Sequence, residues 1–317
     1  MNNTESTKPS SSQGGLVHAP VPAERVSLMH ISHVHRGGGK FERPDNTLET
    51  FLWCWRNGSA LECDCRRTRD GVGIMLHDAT LRRTARGISE ELASMDVSTQ
   101  LDWNSIKDID VGSYLSPEFS HHRIPTIDEV FGAMKGHPTW LCMVDEKGIG
   151  PAEIARKAVE AGVQDQVYYT GQDYSKAVEW TRILPGGKTL LWIGTWPVPA
   201  PDHNEADIAR FEAHFEKIMS EVRAGGFAGI SAVSLHTYCN PDAAEKFVPR
   251  ASYVESLVKE FHEHGIPVCS IPFEGGEREQ TYFDLFDLGC DGFSSDYPSV
   301  MFAAIRDLKK AAEPSAK

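Results

Sequence analysis

The sequence predicts an α/β fold that is built on a parallel β-sheet, and two observations carry this prediction. From about residue 24 onward, short runs rich in β-branched and aromatic residues alternate with longer helical stretches, which is the order of β–α units in a parallel sheet. Several of the helical stretches also end in a pair such as Asn57-Gly58 or Ala161-Gly162, and glycine at that position is a common helix stop.

The candidate strands number one more than the eight that a closed barrel of β–α units contains. They are predicted at Val26–Val34, Ala60–Arg66, Val72–His77, Trp140–Lys147, Val167–Thr170, Thr189–Thr195, Gly229–His236, Pro267–Ile271 and Gly292–Ser294. We expect two of the candidates between Thr189 and Ile271 to be one strand plus a short accessory strand.

The helical stretches alternate with these strands, except in one segment. Helices are predicted at Thr47–Asn57, Ile127–Met134, Pro151–Ala161, Tyr174–Arg182, Asp207–Ala224, Tyr253–His264 and Gln280–Leu288. Residues 79–125 break the alternation and are too long for a simple loop, so we expect an insertion there. The predicted organisation is a flexible leader over residues 1–24, one folded domain over residues 25–308, and a tail over residues 309–317.

Composition excludes several classes of partner. The formal net charge of −13 over 317 residues repels nucleic acids and anionic membrane surfaces. No run approaches the roughly 20 apolar residues that a membrane-spanning helix needs. The seven cysteines are odd in number and form no CxxC pair, which favours reduced, buried thiols. We therefore expect a cytoplasmic protein that acts on a small molecule; no pattern indicates its oligomeric state.

The most informative motif is the pair Glu62 and Asp64. Because side chains alternate along a strand, both carboxylates lie on one face, while Cys63 and Cys65 lie on the other. Inside a sheet that is covered on both faces, unpaired carboxylates are very unfavourable, and a divalent cation with oxygen ligands would compensate their charge. The alternative is an edge strand whose carboxylates are both exposed to water.

Two histidines follow predicted strands. His77 follows an apolar run, and His35 follows the first strand and precedes Arg36 and three glycines. A histidine at the carboxyl end of a strand can act as an acid or a base near neutral pH, and Arg36 can bind phosphate through two hydrogen bonds. Either histidine alone is more often structural; the pair, with carboxylates between them in sequence, favours a catalytic site.

A third apolar run ends in Asp145 and Lys147, which share one face of their strand. Asp145 is a candidate third metal ligand, and Lys147 is a candidate cation for a substrate phosphate. Taken without the other motifs, the two residues would be read as a surface ion pair.

Together these motifs resemble the glycerophosphodiester phosphodiesterase family in order and spacing. The matching runs are His35-Arg36-Gly37, Pro44-Asp45-Asn46-Thr47, Glu62-x-Asp64, Arg69-Asp70-Gly71, His77-Asp78-x-Thr80-Leu81 and the closing Gly289-Cys290-Asp291-Gly292-Phe293-Ser294-Ser295-Asp296-Tyr297-Pro298. The resemblance extends over about residues 26–307.

The resemblance implies a TIM (β/α)₈ barrel with a small insertion after the third strand. It further implies a divalent cation on Glu62, Asp64 and the third acidic position, Asp145, with His35 and His77 as acid and base. Since all these ligands are hard oxygens, Mg²⁺ and Ca²⁺ are both candidates.

The sequence departs from the family pattern in three places, the first being Pro44-Asp45-Asn46-Thr47, where Pro-Glu-Asn-Thr is more usual. The family usually has Glu where this chain has Asp145. A late strand often reads Trp-Thr-Val-Asn in the family, whereas Ile271 to Glu274 stand here. Glycerol recognition is therefore in question, and Glu274 is predicted to contact the substrate alcohol. Other aromatic residues near strand ends either form a substitute pocket wall or pack against loops: Trp192, Trp196, His236 and Tyr238.

The leading functional prediction is a metal-dependent phosphodiester hydrolase that acts on a glycerophosphodiester-like substrate. The alternatives are a phospholipase D-like transphosphorylation of a lysophospholipid or sphingolipid headgroup, with release of a cyclic phosphate, and a non-catalytic binding barrel. The sequence does not decide which histidine is the acid and which the base.

Overall fold

A computed structural model of the chain describes residues 22–194, 204–273 and 277–312. The strands within these ranges are β1 His33–Val34, β2 Ala60–Arg67, β3 Gly73–Met75, β4 Cys142–Glu146, β5 Val167–Gly171, β6 Lys188–Ile193, β7 Ala232–Cys239, β8 Phe247–Val248, β9 Val268–Phe273 and β10 Gly292–Ser295. The helices are α1 Ala23–Leu28, α2 Leu48–Arg56, α3 Glu90–Ser94, α4 Val97–Gln100, α5 Trp103–Ile106, α6 Ile127–Met134, α7 Pro151–Ala161, α8 Tyr174–Ile183, α9 Glu205–Ala224, α10 Ala251–Glu263, α11 Glu279–Asp287 and α12 Pro298–Ala312.

Eight parallel strands close into a barrel. The order around it is β1, β2, β4, β5, β6, β7, β9 and β10, and β1 pairs with both β10 and β2, which closes the ring. Helices follow most of the strands and cover the outside, as in a TIM (β/α)₈ barrel. The fold class that the sequence predicts is therefore confirmed.

The alternation of side chains separates two apolar layers. Val34, Cys63 and Val144 point outward and belong to the large core between the barrel and its helices. Ile31, Met143 and other inward residues form a smaller cluster that fills the lower part of the barrel interior. Polar residues occupy the interior above this cluster, toward the carboxyl ends of the strands.

The helix boundaries agree with local capping signals. Thr126 and Glu129 form a capping box at the start of α6. Helix α7 begins with Pro151 at its first position and ends before Gly162, which adopts a left-handed conformation. These signals explain why the predicted bounds of α6 and α7 match the observed ones.

The supernumerary strand lies elsewhere than predicted. The candidate at Val72–His77 is the accessory one: β3 runs antiparallel to β2, with Cys65 opposite Met75. The three candidates between Thr189 and Ile271 are all barrel strands, so the expectation of an accessory strand among them is wrong. Periodicity does not report strand direction, and β2 and β3 are joined by a short turn, which requires antiparallel pairing.

The first strand is much shorter than predicted. Within the predicted span Val26–Val34, α1 and a 3₁₀ turn at Met29–Ile31 precede β1, which covers only His33–Val34. The helix α12 was not predicted, although Pro298 stands at its start, a position where proline is favoured. It continues through Ala312, beyond the predicted start of the tail.

The segment between β3 and α6 carries α3, α4 and α5 and has an apolar cluster of its own. Its members are Ile74, Leu76, Leu81, Ala85, Val97, Leu101, Ile106, Val111 and Ile124. The segment thus packs as a small unit beside the mouth of the barrel, directly after His77. In the described part of the chain, no helix has the length and apolar character needed to cross a membrane.

The end of β6 depends on a glycine. Gly194 has a φ of +90°, and a Cβ there would lie 1.9 Å from the Phe215 ring. Gly194→Ala is therefore expected to destabilise the fold by about 1 to 3 kcal/mol more than Gly186→Ala, through overpacking. Gly186 is the matched control because its φ is +81° and a Cβ added there would meet no atom within 4 Å. Urea denaturation measures both, and equal losses would contradict the prediction.

Candidate active site

Three buried carboxylates meet at the carboxyl ends of two adjacent strands. Glu62 and Asp64 extend from β2 and Asp145 from β4, where Asp64 and Asp145 are register partners. Their side chains offer oxygen atoms that all lie within 4.8 Å of one another. The residues are 1%, 2% and 8% exposed, respectively. Because β2 pairs with β1 on one side and β4 on the other, the alternative of a solvent-exposed edge strand does not hold.

The electrostatics of this cluster fit a divalent cation. Burial, followed by the charge of Asp64, raises the pKa of Glu62 to about 8. Burial also raises the pKa of Asp145 to about 6, against the opposing effect of Lys147. The Oε1 atom of Glu62 is buried and accepts no hydrogen bond from any residue in the described ranges. Three hard oxygen ligands with excess negative charge are what Mg²⁺ and Ca²⁺ prefer.

Two residues that follow β1 hold the carboxylates in place. The backbone N–H of Arg36 donates to Glu62 at 2.8 Å. Asn46 forms two hydrogen bonds with Asp64: its Nδ2 donates to the carboxylate and its Oδ1 accepts from the Asp64 N–H, both at 2.9 Å. Both residues have positive φ, 51° for Arg36 and 52° for Asn46. Residues other than glycine adopt this conformation at a cost in energy. They keep it only where the surrounding structure holds them, and such residues are concentrated at functional sites.

The guanidinium of Arg36 faces carboxylates. It donates to Asp45 at 2.9 Å, and its Nε lies 3.8 Å from the carboxylate of Asp64. Burial alone would lower the pKa of Arg36, but Asp45 and Asp64 raise it, so the group stays charged. In this geometry Arg36 acts as a counter-charge to the acidic cluster; phosphate binding by it stays a prediction.

Lys147 supplies a second counter-charge. Its Nζ contacts the Asp145 carboxylate and lies 3.6 Å from an Asp64 oxygen. Although burial would lower the pKa of Lys147, these two carboxylates raise it. The alternative of an ordinary surface ion pair does not describe it, because Asp145 is buried inside the barrel mouth. A partly exposed cation at this place can also face a substrate phosphate.

His35 stands beside Glu62 at the end of β1. Its Nδ1 is 2.6 Å from an Asp296 oxygen, and its Nε2 is 4.0 Å from Glu62. Burial alone would lower the pKa of His35, but the charge and hydrogen bond of Asp296 raise it. Sequence reasoning assigned no role to Asp296, although it follows the last barrel strand just as His35 follows the first. The strand-end argument would have found it.

His77 reaches the site from the opposite side. The strand β2 extends beyond the mouth of the barrel, and β3 runs antiparallel to it, back toward the mouth. The N–H of Leu76 therefore donates to the carbonyl of Asp64, and His77 follows at the mouth. The Nδ1 of His77 is 2.6 Å from Asp78, whose other oxygen accepts from Arg83 at 2.6 Å. Burial alone would raise the pKa of Asp78, but His77 and Arg83 hold it well below its ordinary range.

A pocket of about 140 Å³ opens beside His35 and Glu62 within the barrel. Its remaining walls are His33, Trp192, His236, Ile271 and Ser294. Burial lowers the pKa of His33 to about 4 and that of His236 well below its ordinary value, so both rings are neutral.

The pocket accounts for part of the predicted aromatic wall. The Trp192 ring lies 5.2 Å from the His236 ring, so these two do form one wall. Tyr238 is buried in the apolar core. Glu274 and Trp196 lie outside the described residues. Sequence reasoning missed His33, which lies two residues before His35 and lines the same pocket.

These features define a class of protein: a TIM barrel with a buried acidic cluster and two carboxylate-backed histidines at its mouth. Residues 35–172 match the model of the glycerophosphoryl diester phosphodiesterase family. The match covers fewer than half of the residues of the chain, and over this range it confirms the predicted resemblance to the glycerophosphodiester phosphodiesterase family. The matched residues include His35, His77 and all three acidic residues.

Relatives share limited identity with the chain. Glycerophosphodiester phosphodiesterase 1 of Mus musculus is 30% identical over 135 residues, which is 37% of this chain and 39% of that protein. A lysophospholipase D of Homo sapiens is 29% identical over 116 residues, 36% of each chain. The chain thus matches well under half the length of these relatives.

The fold has close structural neighbours. The structure of an Oleispira antarctica phosphodiesterase in complex with the product sn-glycerol-3-phosphate superposes with a TM-score of 0.60 and 19% identity. The superposition covers 89% of this chain and 99% of that one. At this identity the similarity supports the fold.

The acidic cluster generates a prediction about pH and metal ions. The pKa of Glu62 rises from 4.5 to about 8 and that of Asp145 from 3.8 to about 6, so the folded chain keeps protons that the unfolded chain releases. These two groups therefore destabilise the fold progressively as pH rises through that window. Since a divalent ion relieves the same repulsion, Mg²⁺ or Ca²⁺ should raise Tm more at about pH 8.5 than at about pH 5.5.

Thermal unfolding with excess chelator or excess ion measures this effect. Asp64→Asn should lose most of the ion-induced rise in Tm, because it removes one ligand. Asp108→Asn, at an exposed carboxylate, should retain it. A Tm that is independent of both ions at both pH values would show that the cluster holds no divalent cation.

Proposed function

We propose that the chain hydrolyses phosphodiesters of the glycerophosphodiester type in a divalent-cation-dependent reaction. The observation that carries the proposal is the buried cluster of Glu62, Asp64 and Asp145 with His35 beside one end and His77 beside the other. The match of residues 35–172 to the glycerophosphoryl diester phosphodiesterase family model and the likeness to a phosphodiesterase solved in complex with sn-glycerol-3-phosphate support it. A non-catalytic barrel would have no need for two histidines that are each oriented by a buried or partly buried carboxylate.

The three carboxylates would hold the ion, Mg²⁺ or Ca²⁺. When bound, such an ion neutralises phosphate charge and stabilises the charge that develops on the phosphoryl oxygens. Lys147, whose Nζ lies 3.6 Å from an Asp64 oxygen, adds a positive charge that can face the phosphate. Arg36 keeps Asp45 and Asp64 in place through its guanidinium.

His35 and His77 would transfer the protons. Each ring is bound through Nδ1 to a carboxylate, Asp296 for His35 and Asp78 for His77, which leaves Nε2 available for proton transfer. One histidine takes the proton of the nucleophile and the other protonates the leaving alkoxide. The two roles exchange in the second step if a cyclic phosphate forms first.

A second candidate is transphosphorylation. The nucleophile is then a hydroxyl of the substrate itself, and a lysophospholipid headgroup would leave with release of a cyclic phosphate. The similarity to a human lysophospholipase D favours this candidate as the alternative. Phosphorus NMR of the first product distinguishes it from direct hydrolysis, because only transphosphorylation gives a cyclic phosphate.

The pocket beside Glu62 suits an uncharged, hydroxyl-bearing alcohol. The neutral rings of His33 and His236 and the hydroxyl of Ser294 offer hydrogen bonds without a net charge, and Trp192 and Ile271 supply apolar walls. Contact of Glu274 with the substrate alcohol stays a prediction from the sequence, and a comparison of Glu274→Gln with the unmodified chain on a panel of phosphodiesters tests it. We also propose a cytoplasmic location, in keeping with the composition.

Replacement of either histidine should remove proton transfer. His35→Ala and His77→Ala are each expected to lower kcat by about 10² to 10⁴, the usual contribution of a general acid or base. Steady-state kinetics on glycerophosphodiesters with saturating Mg²⁺ or Ca²⁺ measures this. His30→Ala, at an exposed histidine before β1, is the control and should retain full activity. Near-normal kcat in the double variant would refute the mechanism.

The pocket wall should control the choice of alcohol. Trp192→Ala removes an apolar wall, so the ratio of kcat/KM values for a small and a bulkier uncharged alcohol should move about tenfold or more toward the bulkier one. The ion-induced rise in Tm should persist, because Trp192 does not belong to the acidic cluster. Trp53→Ala, which removes a tilted ring contact with Phe302, is the control. An unchanged ratio would exclude this pocket as the alcohol site.

A further inference from the structure

One partly buried carboxylate near the site has no place in the mechanism above. Glu277 lies just before α11, and both of its carboxylate oxygens accept hydrogen bonds from the end of β10. Oε1 accepts from the backbone N–H of Asp296 at 2.7 Å, and Oε2 accepts from the backbone N–H of Tyr297 at 3.1 Å. The hydroxyls of Ser295 and Tyr282 also contact Oε2.

The donors around Glu277 form a closed network. Tyr282 is fully buried on α11, and its hydroxyl donates to Ser295 Oγ at 2.8 Å. That same Oγ accepts from the Tyr297 N–H at 2.8 Å. Hydroxyls can rotate to find another acceptor, and the Tyr297 N–H also has Ser295 Oγ, but the backbone N–H of Asp296 cannot reorient. An ionised carboxylate, which only accepts, satisfies both N–H groups at once, whereas an amide would turn its NH₂ toward one of them.

The backbone that Glu277 holds carries the partner of His35. Asp296 follows the last residue of β10, and its carboxylate lies 2.6 Å from His35 Nδ1. Of the two backbone N–H groups that Glu277 binds, the N–H of Asp296 is the closer one. A shift of that peptide would therefore move the carboxylate and, with it, the orientation of the His35 ring.

We propose that Glu277 is a positioning residue that fixes the Asp296 carboxylate, and through it the His35 ring, from outside the reacting centre. The inference rests on the proposed function, since it needs His35 to transfer a proton. Glu277 makes no direct hydrogen bond to His35 or to His77 in the described part of the chain. It holds the end of β10, where Asp296 orients the ring of His35.

The experiment compares Glu277→Gln with the unmodified chain in two ways. First, NMR at one fixed pH records the downfield proton of the His35–Asp296 hydrogen bond and the ¹⁵N shifts of the His35 ring, which need no substrate. The bond proton should move upfield or broaden, in the direction that Asp296→Asn defines. Second, kinetics should show a kcat lower by about 10- to 100-fold with little change in KM, as for groups that orient a catalytic side chain.

Asp291→Asn is the matched control. Asp291 is a buried carboxylate before β10, at the opposite end of the same strand, and it accepts from the Val268 N–H at 2.8 Å and from His262 at 2.7 Å. This variant is expected to lower Tm while leaving the His35 spectrum and kcat unchanged. If Glu277→Gln behaves in the same way, Glu277 is structural only and the inference is overturned.

Two further outcomes are distinguished. If the chain hydrolyses no phosphodiester, the proposed function fails, whereas the NMR comparison still decides whether Glu277 orients His35. If Glu277→Gln does not fold, Glu277→Asp replaces it, because a carboxylate withdrawn by one methylene weakens the two backbone hydrogen bonds without adding an NH₂ group. An unchanged His35 spectrum in Glu277→Asp would then overturn the inference.

Discussion

The mutual repulsion of three carboxylates inside the barrel mouth governs the rest of the site. Glu62 and Asp64 cannot turn away from Asp145, because β2 is paired on both sides and its register fixes which face each residue occupies. Taking unpaired carboxylates out of water is very unfavourable. The surrounding residues respond to this constraint: Arg36 and Lys147 bring positive charge, and Asn46 orients one carboxylate by two hydrogen bonds. The remaining negative charge creates the affinity for a divalent ion.

The two histidines show the same local design on opposite sides of this cluster. Each uses Nδ1 to contact a carboxylate, and a further residue holds each of the two acidic residues in place. Asp78 is bound by Arg83, whereas the backbone of Asp296 is bound by Glu277. The proton-transfer groups thus depend on two different parts of the fold, the insertion beside β3 and the loop before α11.

Much of this site could be predicted from the sequence, because the period of two along a strand places Glu62 with Asp64 and Asp145 with Lys147. Strand direction could not be predicted, because a run of apolar residues does not distinguish parallel from antiparallel pairing. For this reason β3 was not recognised as the accessory strand. The network around Glu277 was also invisible: it joins residues from separate elements, and only the packed structure brings the Glu277 carboxylate to the N–H of Asp296. Glu277 belongs to no motif of the sequence, whereas Asp296 directly follows a strand and was accessible to the same reasoning that found His35.

Because β3 runs antiparallel to β2 outside the barrel, the segment that carries His77 has a lower local stability than the barrel strands. A ladder of three residue pairs attaches β3 to β2, and a single bridge joins Ile74 on its other side to Thr126, whereas each barrel strand pairs with a barrel strand on both sides. Such weakly paired segments open locally at a lower free energy than the global unfolding of a domain. Thermal inactivation can therefore begin with detachment of β3 while the barrel remains folded, and the return of β3 alone would restore the site on cooling.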